Sequence, residues 1–315
     1  MSKPKLEKVV DIRLKRSQEV VELVDQMYGA GGFMGRHLAE AARIYSDMLS
    51  DKACTKFLSF PAAPVATGLR GLIVDMIKEN MVDVIITASG TLDHDLARTW
   101  GHYYHGSFDL DDAKLLKLGY HRLGNLLVPL DDYGPAIEKR LQPWLEETYT
   151  SGIKGMSSEE LCIGLGRMVD DENSLLYWAQ KKSVPVFVPG PMDGAVGSQV
   201  WLFANRRSDF RIDVIKDEKR LADIVFDSKK SGALIIGGGI SKHHTLWWNQ
   251  FKGGLDYACY ITTAVEYDGS LSGAQVKEAI SWGKVREKAK KTTLFADATT
   301  VLPLIATYAI TKAKR

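Results

Sequence analysis

Ala233-Leu234-Ile235-Ile236-Gly237-Gly238-Gly239 is a short apolar run that stops in three glycines. A run of that length bounded by glycine reads as a strand, with the next helix expected beyond the turn. Val82–Thr87 has the same form and runs into Ala88-Ser89-Gly90-Thr91. Working outward, similar runs lie at Lys56–Phe60, Asn125–Pro129, Val184–Val188, Arg211–Ile215, Tyr257–Thr262 and Thr292–Phe295. Helical spacing separates most of them, at Leu69–Glu79, Ser158–Met168, Ser174–Lys182, Leu221–Lys229 and Val276–Lys288. Strands that alternate with helices predict parallel βαβ units in one twisted sheet. Residues 1–50 read as helix, with apolar spacing over Val9–Met27 and Met34–Leu49 broken at Gly29-Ala30-Gly31-Gly32. Asp131–Gly155 reads as an irregular excursion, and no linker or repeat divides the chain. The expectation is a single α/β domain over residues 1–315, with a mostly parallel sheet flanked by helices.

The bulk properties narrow the class. Of 315 residues, 45% are hydrophobic and 25% charged, the composition of a soluble globular chain that can bury a full core. A net charge of +2 gives no footprint for nucleic acid or an anionic membrane. Met1–Arg16 is basic but has no apolar core, so it does not read as a secretory signal. No apolar run is long enough to span a bilayer. Three well-separated cysteines, Cys54, Cys162 and Cys259, read as reduced, buried thiols of a cytoplasmic protein.

Glycine at the carboxyl end of a parallel strand lets backbone amides approach a phosphate at a helix N-terminus. Neither glycine stretch is a complete G-x-G-x-x-G, and tight turns without a ligand explain them equally well. Next to the triple glycine stand His243 and His244. Adjacent histidines diverge and make a poor metal pair, although one could serve as a general base. His102 and His105 lack a third ligand and read as surface or packing residues, so no metal site is expected. Lys284 follows Trp282 and Gly283. A lysine held in a poorly solvated pocket loses its proton more readily, and the neutral amine attacks carbonyl or imine carbon. An exposed lysine on an amphipathic helix is the commoner fate. In a regular helix Trp282 and Lys284 would also diverge by about 200°, so a shared pocket needs a loosened turn at Gly283.

Taken in order, several stretches resemble the deoxyhypusine synthase family across nearly the whole chain. They are Asn80–Val84, Arg122–Pro129, Tyr177–Lys181, Pro185–Phe187, Gly237-Gly238-Gly239 with Lys242-His243-His244, Asp268-Gly269-Ser270, Ser272-Gly273-Ala274, Glu278–Lys284 and Ala296-Asp297-Ala298. The resemblance implies a Rossmann-like NAD-binding fold and a cytoplasmic homotetramer. It also implies aminobutyl transfer from spermidine, through an enzyme-lysine imine, to a lysine of the translation factor that receives hypusine. The long N-terminal extension of eukaryotic members is absent, which suggests a prokaryotic-type chain. By resemblance, Lys284 falls at the imine-forming lysine and His243 at the active-site histidine. Trp282 falls at the amine-packing tryptophan, where a cation over an indole gains about 0.5–2 kcal/mol. Glu278 and Asp93 fall at amine-site carboxylates, and Gly269 and Ser270 at substrate-side positions. Ala88, Ser89, Gly90, Asp193, Gly238, Thr263, Ala264, Asp297 and Ala298 fall at NAD-contacting positions.

The chain departs from the family at the amine site. Ser198, Leu271 and His94 stand where eukaryotic-type members carry acidic residues, and Ala62–Ala66 is changed on the cofactor side. The amine donor, whether spermidine, agmatine or another, is therefore open. A homospermidine synthase type of transfer to a free diamine shares the same lysine and NAD chemistry. A non-catalytic paralogue is disfavoured by the joint presence of Lys284, His243 and Trp282.

Overall fold

Continuous burial decides where the strands form. Lys230–Ile236 is buried at every residue after its first, and Leu255–Thr262 is buried over its last five. That pattern suits a parallel strand covered on both faces. These two strands run parallel, and Leu255–Thr262 pairs in turn with Val285–Phe295, also parallel. The computed structural model describes residues 7–313. The first six residues of the basic segment Met1–Arg16, discussed above as a possible signal, lie outside the described residues. Contacts divide the chain into two compact units, Met1–Leu58 with Val225–Arg315, and Ser59–Ile224. Both are α/β; the strands of the first unit are parallel, and the second mixes parallel and antiparallel pairs.

In the first unit the strand order is Val285–Phe295, Leu255–Thr262, Lys230–Ile236, Cys54–Ser59. The helix Phe33–Ser50 packs on the first two of these strands and on the helix Ala298–Lys312. Its buried face is Leu38, Ala41, Ala42, Tyr45 and Met48, a three- and four-residue spacing with small residues where the elements approach. Helix at the N-terminus begins only at Val20, not at Val9. Val9, Val10, Ile12 and Leu14 stay exposed. With no buried stripe to stabilise a helix there, the segment lies extended against its neighbour. The Val10 N–H donates to the Gly29 carbonyl and the Arg13 N–H to Gln26 Oε1.

The spacing over Val276–Lys288 predicts a helix, and the structure departs from it. Only Glu278–Ser281 is helical, and Val285–Phe295 is strand. Gly283 sits at φ 68°, the left-handed region where a Cβ is penalised, and ends the helix there. Arg211–Ile215 differs likewise. Its strand is Arg211–Ile212, and a helix already occupies Val214–Asp227.

In the second unit Val84–Ile86 and Val186–Phe187 pair in parallel, and Tyr104–His105, Leu126–Pro129 and Tyr120–Leu123 form a small antiparallel sheet. Asp131–Gly155, read as irregular, contains the 17-residue helix Gly134–Thr150. Pro143 inside the helix weakens the sequence signal, yet Ile137, Leu141 and Leu145 form one fully buried stripe. Cys54, Cys162 and Cys259 are buried and form no disulfide. Among the described residues no helix is long and apolar enough to cross a membrane.

A buried ion pair organises the second unit. Asp95 is fully buried and accepts hydrogen bonds from Arg70 Nε at 2.6 Å, Ser174 Oγ at 2.6 Å, and the Leu175 and Leu176 amides, both at 3.1 Å. Removing one partner of a buried pair strands the other charge. Asp95→Ala is expected to lower stability by about 3–5 kcal/mol in urea denaturation, with Asp95→Asn between it and the wild type.

Candidate active site

The left-handed turn at Gly283 brings Lys284 back beside Trp282. The Lys284 amide donates to the Ala279 carbonyl at 2.9 Å, and its carbonyl accepts from Leu255 at the start of the neighbouring strand. Its side chain is therefore held between a helix end and a strand start, with 8% exposure. Nζ lies 5.0 Å from the Trp282 ring centroid and 5.8 Å from that of Trp247. His243, on the helix Ile240–Gln250, stacks on Trp247 with centroids 5.6 Å apart and planes 20° from parallel. Desolvation, and then the positive charge of Lys284, hold its imidazole below the ordinary histidine pKa. It is thus neutral near pH 7 and able to take up a proton.

These groups line a cavity of about 250 Å³ that also includes Lys242, Tyr260, Leu271 and Glu278. Tyr260 is 1% exposed, and its hydroxyl has no hydrogen-bond partner among the described residues. A buried hydroxyl without a partner is costly, so it offers a bound amine both a donor and an acceptor. Glu278 is the one carboxylate on this wall, set against Lys242 and Lys284. A larger hollow of about 460 Å³ beside Val10, Glu22 and Asp25 contains no buried nucleophile, so the chemistry is assigned to the smaller one.

Three adjacent parallel strands of this unit end level with one another. Ile261 pairs with Ile236 and Thr262 with Phe295. Beyond those ends come Gly238, then Thr263 and Ala264, then Asp297 and Ala298. Gly237 and Gly239 both take positive φ, which turns the chain sharply into the helix Ile240–Gln250. Asp297 caps the helix Ala298–Lys312 through a 2.6 Å bond from the Thr299 amide to Oδ1. Gly269 and Ser270 lie on the exposed loop between Thr262 and Glu278, where Asp268 Oδ1 accepts from the Ser270 amide at 2.6 Å.

The remaining positions singled out by the sequence resemblance belong to the second unit. Ala88 is the N-cap of the helix Ser89–Trp100, which also carries Gly90, Asp93 and His94. The Ser89 hydroxyl donates to the Pro191 carbonyl, two residues before Asp193. Asp93 is 1% exposed and accepts from the Ala195 and Val196 amides at 2.8 Å and from the Tyr133 hydroxyl at 2.9 Å. It thus caps the helix Ala195–Arg206, on which Ser198 sits exposed with its hydroxyl on the Gly194 carbonyl. Desolvation raises the Asp93 pKa against the lowering effect of those hydrogen bonds. His94 Nδ1 lies 2.8 Å from the Tyr103 hydroxyl, and its ring leans on Tyr133.

Trp247 and Tyr260 have no role in the sequence reading. The repeat of Trp247 four residues after His243 was the available signal for one. A tyrosine inside a buried strand gives none for the other. His102 is exposed, its amide bonded to Asp132, and His105 lies on an exposed edge strand. Among the described residues no three histidine, cysteine or acidic groups are placed to hold a metal.

A parallel α/β sheet with a buried lysine beside an exposed histidine and two exposed tryptophans around one cavity defines an enzyme site for amine or carbonyl chemistry. The profile of the deoxyhypusine synthase family matches residues 22–309. Two archaeal proteins, each named "Probable deoxyhypusine synthase", are similar over nearly their whole length. That of Picrophilus torridus is 51% identical over 299 residues, covering 95% of this chain and 96% of that protein. That of Thermoplasma volcanium is 51% identical over 305 residues, covering 97% and 96%. A crystal structure from Entamoeba histolytica, named as a candidate deoxyhypusine synthase, superposes with a TM-score of 0.70 at 20% identity, covering 98% of each chain, which supports the fold. The chain belongs to the deoxyhypusine synthase family, a family of transferases.

His94 makes the second unit sensitive to acid. Burial, with Arg98 nearby, lowers its pKa from 6.5 to about 4. A depressed folded pKa means that the stability it contributes is present above pH 6.5 and is lost as pH falls from 6.5 toward 4. Between pH 7 and 5 the wild type is expected to lose about 2 kcal/mol more than His94→Gln, read from urea midpoints at the two pH values.

Proposed function

We propose that this chain transfers an aminobutyl unit from a spermidine-like polyamine to one lysine of the translation factor that receives hypusine, using NAD and an imine on Lys284. The observation that carries this reading is the placement of Lys284, nearly buried between two indoles with a neutral histidine in the same cavity. We also propose that the two units serve this one activity in a cytoplasmic homotetramer, as the family resemblance implies.

The residues present fit NAD. Level parallel strand ends, a glycine turn entering a helix N-terminus, and Asp297 at the next strand end are the features that accept a dinucleotide. Gly238, Thr263, Ala264, Asp297 and Ala298 would hold it in the first unit, and Ala88, Ser89, Gly90 and Asp193 are the positions assigned in the second. When bound, NAD supplies a hydride acceptor and later returns the hydride.

This chain's own residues do the rest. Glu278 and the Trp282 face hold the donor's cationic end. His243 takes the proton released as the donor's C–H hydrogen leaves as hydride and an imine forms. The Lys284 amine attacks that imine carbon. The C–N bond to the departing amine breaks, and the departing nitrogen takes the proton. The acceptor lysine then attacks the Lys284 imine, freeing Lys284, and reduction of the new imine leaves a secondary amine. Trp247, Trp282 and Leu271 line the cavity in which both imines would form.

The amine wall bears on the donor. Glu278 is the one carboxylate lining the cavity, Asp268 is bonded to Ser270, and Leu271 faces the cavity. That arrangement supports a donor with fewer charges than spermidine, agmatine or a putrescine-like amine among them. Transfer to a free diamine, as in a homospermidine synthase, remains the second reading of the same chemistry.

Borohydride trapping with NAD and a panel of amines should add the donor's carbon unit to the peptide containing Lys284, and Lys284→Ala should show no adduct. An adduct on Lys242 instead would displace the assignment. In the same assay, Leu271→Asp is expected to raise kcat/KM for spermidine about tenfold by restoring an anionic partner for a buried ammonium. No gain would mean that the pocket already pairs every charge of spermidine.

A further inference from the structure

Lys242 is 1% exposed, yet the transfer chemistry gives it no part. It lies on the first turn of the helix Ile240–Gln250, one residue before His243. Its Nζ donates to the Leu271 carbonyl at 2.7 Å and the Ala274 carbonyl at 2.8 Å, and stands 4.3 Å from the Tyr260 ring centroid. An ammonium has three N–H groups. Two are satisfied by main-chain oxygens, and the ring face can receive the third. The other titratable groups of the cavity are Glu278 on the short helix, Lys284 before the strand, His243 beside it and the Tyr260 hydroxyl.

The two carbonyls belong to a segment with little else to hold it. Between Thr262 and Glu278 the chain makes a short 3-10 turn at Glu266–Asp268, local bonds such as Gly273 N–H to the Ser270 carbonyl, and at its far end a bond from the Val276 amide to Thr293 Oγ1 at 3.0 Å. It touches the glycine turn closely. A Cβ on Gly238 would stand 2.3 Å from Ser272 Cα, so the loop backbone rests where a side chain would otherwise be. Leu271, on the same loop, forms part of the cavity wall.

We infer that Lys242 is a positioning residue whose ammonium ties the Leu271–Ala274 loop to the helix of His243 and so sets the wall of the amine cavity. Its kinetic consequences rest on the transfer reading given above, while its structural consequence does not. Burial lowers the Lys242 pKa to about 8 despite the opposing effect of Glu278. The tie is therefore complete below that pH and weakens as pH rises through it.

Amide hydrogen exchange on the full chain without substrate tests the tie directly. Lys242→Met keeps the length and apolar packing of the side chain but removes the donors. It is expected to speed exchange about tenfold in the peptide spanning residues 265–276, with the strand Leu255–Thr262 unchanged. In the transfer assay it should raise the donor KM about tenfold while kcat at saturating donor falls less than about threefold and the Lys284 adduct still forms. The wild-type donor KM should rise above pH 8 and that of Lys242→Met should not, whereas Lys242→Arg should recover part of the loss.

If Lys242→Met does not fold, Gly273→Ala loosens the same loop with Lys242 in place. Its Cβ would meet the Val265 carbonyl oxygen at 1.9 Å, and it should give the same exchange and KM pattern. Unchanged loop exchange in the variants overturns the inference. So does loss of kcat and of the adduct at unchanged KM, which would place Lys242 in the chemistry itself. Absence of any Lys284 adduct in the wild type would instead remove the transfer reading and leave the exchange result to decide the tie.

Discussion

The site depends on one backbone constraint, the left-handed conformation of Gly283. It ends a four-residue helix and starts an eleven-residue strand within three residues of each other. A side chain at that position would have to adopt a conformation that costs an L-residue about 1–2 kcal/mol. The reward for the turn is that Lys284 points back toward Trp282 instead of diverging from it. The strand partner then fixes the lysine backbone, since the Leu255 amide is bonded to the Lys284 carbonyl. Lys284 is thus tied to the core of a parallel sheet and not to a mobile loop, which limits the entropy lost on ordering it.

Around that lysine the electrostatics are arranged by exclusion more than by pairing. One carboxylate, Glu278, faces two lysines, and the ring faces of Trp247, Trp282 and Tyr260 occupy positions where further acids would serve a polycation. Aromatic faces stabilise a cation without accepting its proton. They can therefore lie against an ammonium or iminium without taking its proton. Desolvation keeps His243 neutral, and Lys284 itself adds to that effect.

Sheet and helix identities were legible where burial and pattern agree. Ser158–Met168 is helical over the bounds its spacing predicts, because a Ser157–Glu160 capping box marks its start and apolar periodicity continues behind it. Val276–Lys288 misled because glycine at a left-handed position and glycine inside a tolerant helix look alike in sequence. Only the strand pairing of residues 285–295 distinguishes them. The extended run of residues 7–19 misled for the opposite reason, since helical spacing has no force where nothing is buried against it. At the site, Lys284, His243 and Trp282 were legible from local composition and resemblance, and all three line one cavity. Lys242 and Tyr260 were not, because their significance lies in burial and in partners thirty residues away or missing.

Asp93 shows how a resemblance and a structure can each constrain a residue. Both of its oxygens already accept hydrogen bonds, from two amides at a helix N-terminus and from Tyr133. A carboxylate so placed stabilises the positive end of that helix, while its burial raises its pKa. It also retains lone pairs, since two oxygens offer about four acceptor sites and three are used. One further ammonium contact is therefore possible without breaking the cap. A carboxylate in that position has its rotamer set before any amine binds, and an amine reaching it would gain a charge-assisted hydrogen bond without first reorganising the protein.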